Sequence, residues 1–167
     1  MESHIYICQS VNILARWSDS MPKENNFYYK KETKGFITSF KDHPHLEPLY
    51  THQFTYFGSK WNSVREAYDN LEKENMTTSN KLNLMGRILY ACYLQNPDAA
   101  AELISTQDMW IEKKVTTHDN FWHNCKCLNC FLEEGHNYYG RLLMEVRDRL
   151  IWEKKRKNKK HWELHYF

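Results

Sequence analysis

Glycine and proline are scarce, five and four in 167 residues. That scarcity excludes a collagen-like repeat, a low-complexity chain and an all-β chain dense in tight turns. No apolar run approaches the roughly 20 residues of a membrane-spanning helix, so no membrane association is expected. The opening Met1-Glu2-Ser3-His4 has no basic segment ahead of an apolar stretch, so no signal peptide is expected. Neither sign of charge dominates, with 23 Lys and Arg against 21 Asp and Glu, a formal +2. The five cysteines are odd in number and nothing marks secretion, which argues against a disulfide framework. Reduced thiols in the cytoplasm, or in the nucleus of a eukaryotic or viral setting, are the expectation.

What is present is aromatic and apolar. Hydrophobic residues make up 41% and aromatics 15%, including six Trp and eleven Tyr. A disordered chain lacks such content. The length suits one domain with a sizeable core and a tail. Charge is unevenly placed. The run Lys154-Lys155-Arg156-Lys157-Asn158-Lys159-Lys160 holds six of the 23 cations, so the remaining chain carries 17 against 21, a net −4. A basic run of this kind reads as a nucleic-acid or nuclear-localisation patch, or as the solvated end of a last helix, where cations suit the dipole.

Periodicity predicts four helices. Val64, Ala67, Tyr68 and Leu71 keep one face of a helix opened by Asn62. The polar break Thr77-Thr78-Ser79-Asn80 offers N-cap residues ahead of a second stripe, Leu82, Met85, Ile88, Leu89 and Cys92, ending near Leu94. Pro97-Asp98 starts a third helix with Ala100, Leu103 and Ile104 inward, and Tyr138 to about Trp152 forms the fourth, with Leu142, Leu143, Val146 and Leu150 inward. Asn26–Tyr29 reads as a strand, as does 109–115; Phe36 to Phe40 is a short strand or turn entry, and Gln53 to Lys60 is ambiguous between helix and strand. Residues 116–137 read as one long loop. The fold class is α+β: a single, mostly helical domain with a few short strands over 26–152, preceded by an N-terminal extension, 1–25, and followed by a basic C-terminal tail, 153–167.

Several stretches resemble the NADAR family of YbiA-like N-glycosidases. Asn137-Tyr138-Tyr139-Gly140-Arg141-Leu142-Leu143-Met144-Glu145-Val146-Arg147 is similar to the family's closing motif, N-x-x-G-x-x-L-M-E followed by an aliphatic residue and R. Asp119-Asn120-Phe121-Trp122 resembles its D-x-x-W, and Leu103 to Asp108 with Ile111-Glu112 resembles the stretch before that. Ala91 to Asn96, Asn26-Phe27-Tyr28 and Phe36 to Phe40 follow the family's order and spacing. The resemblance covers roughly residues 25–152. It implies a YbiA-like fold and hydrolysis of an N-glycosidic bond in an ADP-ribose-related or ribosylated-base substrate, with no cofactor required.

Carried over residue by residue, the resemblance implies that Lys60 acts on the ribose C1 side. Gln53 and Asn124 would hold substrate, Trp122 would stack on it, and Trp61 would line the same pocket. Asp119 and Glu112 would orient the loop, and Asn137 with Arg147 would bracket the pocket. Two departures stand out. Gln53 falls where relatives have Glu, and Asn124 where they have Asp, so two carboxylates are missing. A glutamine cannot exchange a proton at neutral pH. Another group, such as Glu47, would then have to supply the acid or base. The segment between Lys60 and Ala91 is also shorter than the two helices relatives place there. The bland alternatives are a surface lysine at 60, a core aromatic at 122, a helix cap at 137, and a solvent-facing residue at 145 or 147.

The loop carries a separate signal. Cys125, Cys127 and Cys130, flanked by His123 and His136, are candidates for a structural zinc site of three thiolates and His136. Their C-x-C-x-x-C spacing differs from the paired C-x-x-C of most zinc modules, and three reduced surface thiols are the alternative. No base accompanies them as it would a nucleophile. His43, His45 and His52 form a second cluster, read as solvated or metal-binding. Three function classes follow: an N-glycosidase-type hydrolase; a catalytically impaired NAD- or ADP-ribose-binding protein of the same fold; and a nucleic-acid-associated protein using the basic tail. The expected partners are a nucleotide-type small molecule or an ADP-ribosylated base, and nucleic acid through the tail.

Overall fold

A computed structural model describes residues 33–163, with side chains through Arg156. The extension 1–25, the strand expected at Asn26–Tyr29 and the last four residues of the tail lie outside the described residues. Within them the protein is a single mostly helical α+β domain. It has four helices, α1 (Val64–Leu71), α2 (Thr78–Gln95), α3 (Pro97–Ser105) and α4 (Tyr138–Glu163). Six short strands accompany them: β1 (Phe36–Ile37), β2 (Phe54–Tyr56), β3 (Ser59–Trp61), β4 (Trp110–Ile111), β5 (Lys114–Val115) and β6 (Asn124–Cys125). No described helix is long and apolar enough to cross a membrane.

The helix starts follow their side chains. Ser63 caps α1 by accepting the Glu66 N–H at 3.1 Å, and Glu66 reaches back to accept the Asn62 N–H at 2.7 Å. This is a variant of the reciprocal Ser-x-x-Glu capping box. Thr77 caps α2 through the Asn80 N–H, so the helix begins inside the expected polar break. Pro97, whose missing N–H costs nothing in a first turn, begins α3. The fourth helix runs past the expected end at Trp152 to Glu163. Residues 153–163 contain no Gly or Pro and are rich in Lys, Arg and Glu, all good helix formers, but they carry no apolar stripe to announce the helix.

The ambiguous stretch 53–60 is a hairpin. Phe54 pairs with Trp61 and Tyr56 with Ser59, across the two-residue turn Phe57-Gly58. Both turn residues have positive φ, 51° and 74°, the pattern whose twist matches paired strands. The stretch 109–115 divides into β4, parallel to β1, and β5, parallel to β6. The long loop 116–137 therefore contains a strand.

The core lies where α4 packs against α2 and α3, with α1 and the hairpin also packed on α2. Leu142, Leu143 and Val146 are fully buried and Leu150 nearly so, as are the five α2 stripe residues. Each such aliphatic side chain contributes about 1.5–3 kcal/mol by leaving water. In α3, Leu103 and Ala99 are buried, while Ala100 and Ile104 pack partly exposed at the edge.

Candidate functional site

The loop at Glu47–Leu49, the exposed face of α1 and the segment 113–123 enclose an open cleft of about 630 Å³. Glu47 forms an ion pair with Lys113, whose ammonium also lies 5.5 Å from the Phe40 ring centre. Arg65 Nε donates to Asp69 Oδ2 at 2.7 Å one helical turn away. The Arg65 backbone N–H donates to the Pro48 carbonyl, tying α1 to the opposite wall.

Asp119 organises the third wall. Its Oδ1 accepts the N–H groups of Phe121 at 3.1 Å and Trp122 at 2.9 Å, closing a tight turn. Its Oδ2 lies 2.8 Å from His123 Nδ1. Burial pulls the His123 pKa below its ordinary 6.5, outweighing the opposing pull of Asp119. The imidazole is therefore neutral at pH 7, with Nδ1–H donating to Asp119 and Nε2 left as an acceptor. That Nε2 is buried and has no hydrogen-bond partner. An imidazole oriented by a carboxylate, with its second nitrogen unpaired, can take a proton from water or a hydroxyl.

Behind the cleft wall lies a buried polar layer. Glu112 accepts from Trp110 Nε1 at 3.0 Å and from Asn124 Nδ2 at 2.7 Å. Asn124 Oδ1 in turn accepts the Gly135 N–H at 3.2 Å. Both ends of the Asn124 amide are thus occupied by protein groups. Glu112 and Asn124 are buried while their chain neighbours Lys113 and His123 line the cleft. The inner pair thereby holds the outer pair in place.

The remaining site residues of the sequence reading fall elsewhere. Lys60 and Gln53 are exposed on the hairpin, outside the cleft lining, and Lys60 sits on a strand rather than a helix. Gln53 reaches Asn62 across the hairpin at 3.5 Å. Trp61 donates its indole N–H to the Tyr56 carbonyl at 3.1 Å within the same hairpin. Trp122 stands edge-on to Tyr68 and Phe121, with ring centres 5.2 and 4.8 Å away, and packs against the core. Asn137 is buried at the start of α4, where its amide donates to the Ile111 carbonyl. Arg147 is buried and donates to Thr106 Oγ1 and the Met109 carbonyl, both at 2.9 Å, pinning the end of α3 to α4. Of the nine proposed catalytic and binding residues, the cleft lining includes Asp119 alone; Glu47, raised only as a substitute acid or base, joins it there. Lys113 and Asp69 carried no motif, and His123 stood out only as a neighbour of cysteines.

The cysteine loop gathers differently from the expected set. The imidazole beside the thiols belongs to His118, not His136. His118 Nδ1 lies 3.4 Å from Cys127 Sγ and 3.2 Å from Cys130 Sγ. Cys125 Sγ accepts the Cys127 N–H at 3.4 Å. Burial, then the neighbouring thiols, push the Cys130 pKa up to about 12. Burial acts upward on Cys127 too, but hydrogen bonds from Cys125 and the backbone of Asn129 and Cys130 hold it below its ordinary value. His136 instead stacks on Tyr138, with ring centres 5.1 Å apart. His123 is engaged by Asp119. The second histidine cluster is a pair: His45 Nδ1 and His52 Nε2 bond directly at 2.8 Å, which leaves no room for an ion between them.

No protein-family model matches this sequence, and no curated protein matches it either. One similarity is structural. The solution structure of the E. coli protein YbiA aligns with a TM-score of 0.57 at 18% identity, covering 80% of this chain and 95% of that one. The chain thus has a YbiA-like α+β fold.

Proposed function

We propose that the protein is an N-glycosidase-type hydrolase of a ribosylated base or related nucleotide, working in the cleft between Glu47, Arg65 and His123. The observation that carries this reading is the Asp119–His123 pair, which lines the same cleft as the Glu47 carboxylate and leaves the buried His123 Nε2 without a protein partner. Cleavage of a glycosidic bond develops positive charge on the sugar ring, and carboxylates flanking that ring stabilise it. Glu47, Asp69 and Asp119 outnumber Arg65 and Lys113, so with His123 neutral the cleft carries a net negative charge that favours such a transition state. In this reading His123 draws a proton from the attacking water as the bond from C1 to the base nitrogen breaks, the departing base takes up that proton, and Asp119 holds the imidazole in the required tautomer. Arg65 and Lys113 donate to hydroxyl or phosphate oxygens of the substrate. The carboxylates missing at positions 53 and 124 are then replaced by carboxylates in the cleft, and the YbiA-like fold is consistent with the assignment.

The test is turnover, followed by mass spectrometry, of NAD, ADP-ribose, ADP-ribosylated guanine in DNA and a ribosylated aminopyrimidine. Wild type is run beside His123→Ala, Asp119→Asn, Glu47→Gln and Lys60→Ala, with thermal-shift binding on the same samples. Loss of about 10²-fold or more in the His123 variant, with Lys60→Ala active, is the expected result. Loss confined to Lys60→Ala would move the chemistry to the hairpin. Binding of a panel member without turnover by wild type would replace the hydrolase with a binding protein of the same fold.

A further inference from the structure

The loop 116–137 presents a problem of order. It holds Asp119 and His123, yet its far end exposes Leu128, Phe131 and Leu132, which lie 91%, 55% and 84% accessible. Phe121, Trp122 and Asn124 anchor its first half to the core, but the only strand ladder it shares among the described residues, β5 with β6, pairs over two residues each. So short a ladder is marginal in water.

The same loop brings three soft or borderline donors together, with a fourth thiol next to them. Pairing of Val115 with Cys125 sets the two ends of the loop side by side. His118 lies three residues beyond Val115, and Cys127 and Cys130 follow Cys125 through a turn closed by the Cys130 N–H to Cys127 carbonyl bond at 3.0 Å. The donor atoms of His118, Cys127 and Cys130 lie within 4.8 Å of one another. Cys125 Sγ lies beside this group of three and accepts the Cys127 N–H at 3.4 Å. A tetrahedral zinc ion, about 2.3 Å from sulfur and about 2.0 Å from nitrogen, sets sulfur-to-nitrogen edges near 3.5 Å. The two such edges here are 3.4 and 3.2 Å. A disulfide would use two thiols and leave a third beside an imidazole, whereas one ion uses all four groups.

We propose that the converging donors of His118, Cys127 and Cys130 bind one zinc ion that staples the loop, with the neighbouring Cys125 thiol moving in as the fourth ligand. Four protein ligands leave no open position, so the site is structural. The thiols bind as thiolates and release their protons to solvent. The ion closes a ring from residue 118 to residue 127, and the segment inside that ring is the one that carries Asp119 and His123. The site stands independently of the proposed hydrolase activity; only its effect on the cleft depends on that reading.

The experiment measures metal in the full-length protein, purified under reducing conditions without chelator, by elemental analysis and by titration with cobalt(II). About one zinc per chain is expected, together with thiolate-to-cobalt charge-transfer absorption and the intense visible bands of a tetrahedral sulfur site. His118→Ala should weaken metal affinity at least tenfold, and His136→Ala should leave it unchanged. Cys127→Ser with Cys130→Ser should abolish the charge-transfer bands. If the double variant does not fold, the wild-type cobalt spectrum and His118→Ala still decide the matter. Less than a tenth of an equivalent of zinc, with a cobalt spectrum lacking thiolate bands, would overturn the site. Loss in His136→Ala with retention in His118→Ala would overturn the ligand assignment.

Discussion

The carbonyl oxygen of Ile111 lies 2.1 Å from where a Cβ on Gly140 would stand. The same carbonyl accepts the Asn137 side-chain N–H at 2.8 Å. Two members of the N-x-x-G motif therefore serve one contact, the seating of α4 against β4. Chain order supports this: Ile111 is followed at once by Glu112 and Lys113, so the seat of α4 also sets the cleft wall.

Gly140→Ala should be strongly destabilising, by about 3 kcal/mol or more, because the nearest obstacle is the Ile111 backbone carbonyl and the buried Asn137 amide stands at 2.7 Å. Gly58→Ala, at positive φ but with nothing within 4 Å of the new methyl, should cost about 1 kcal/mol. Urea unfolding of both variants measures the contrast. Equal costs would mean that α4 can shift away from β4 freely.

Arg147→Met should destabilise the fold by about 2–4 kcal/mol. It leaves the Thr106 hydroxyl and the Met109 carbonyl without the guanidinium donor they share. Arg147→Lys should recover little of the loss, since one ammonium cannot reproduce a planar fork. A stable Arg147→Met variant with no binding or turnover would return Arg147 to the ligand.

Burial pushes the Glu145 pKa from 4.5 up to about 7, against a smaller opposing effect of Arg149. Between those values the folded chain keeps a proton that the unfolded chain has released. Stability from this group is therefore full below about pH 4.5 and lost as pH rises through about 7. The Glu145→Gln variant, permanently neutral, should exceed wild type in stability at pH 8 by about 1–3 kcal/mol and match it at pH 4. Unfolding curves across that range check it, and a difference that does not vary with pH counts against it.

His52 works in the opposite direction. Burial, and then the charge on His45, lower its pKa from 6.5 to about 4. The unfolded chain takes up the proton first on acidification, so stability falls as pH drops from about 6.5 towards 4. Proton NMR of the imidazoles should find one ring titrating far below the others, and His52→Ala should remove that titration. A His52 ring titrating near 6.5 would contradict the buried pair.

Much of the fold is legible along the chain, and the reason is periodicity. Leu82 to Cys92 and Leu142 to Leu150 repeat every three or four residues because one helix face must leave water, and both faces are buried. The hairpin at 54–61 was obscured because aromatic runs suit either state, and its turn places Phe57 at positive φ, where glycine or asparagine is usual. The end of α4 carries no apolar pattern at all. In the candidate site, Asp119 was legible through its motif. Glu47 was named only as a substitute, and its pairing with Lys113 was not legible, since an ion pair between residues 66 positions apart leaves no local trace.

The sequence alone determined the four helices, their inward faces and the presence of a cysteine-rich loop, because these follow from local spacing. Only the tertiary structure decided which histidine meets the thiols, that Asn124 and Glu112 bond to each other, and which carboxylates line one cleft. Those outcomes depend on parallel pairings between distant segments, β1 with β4 and β5 with β6. Such pairings are set by how the whole core packs, not by the residues beside them.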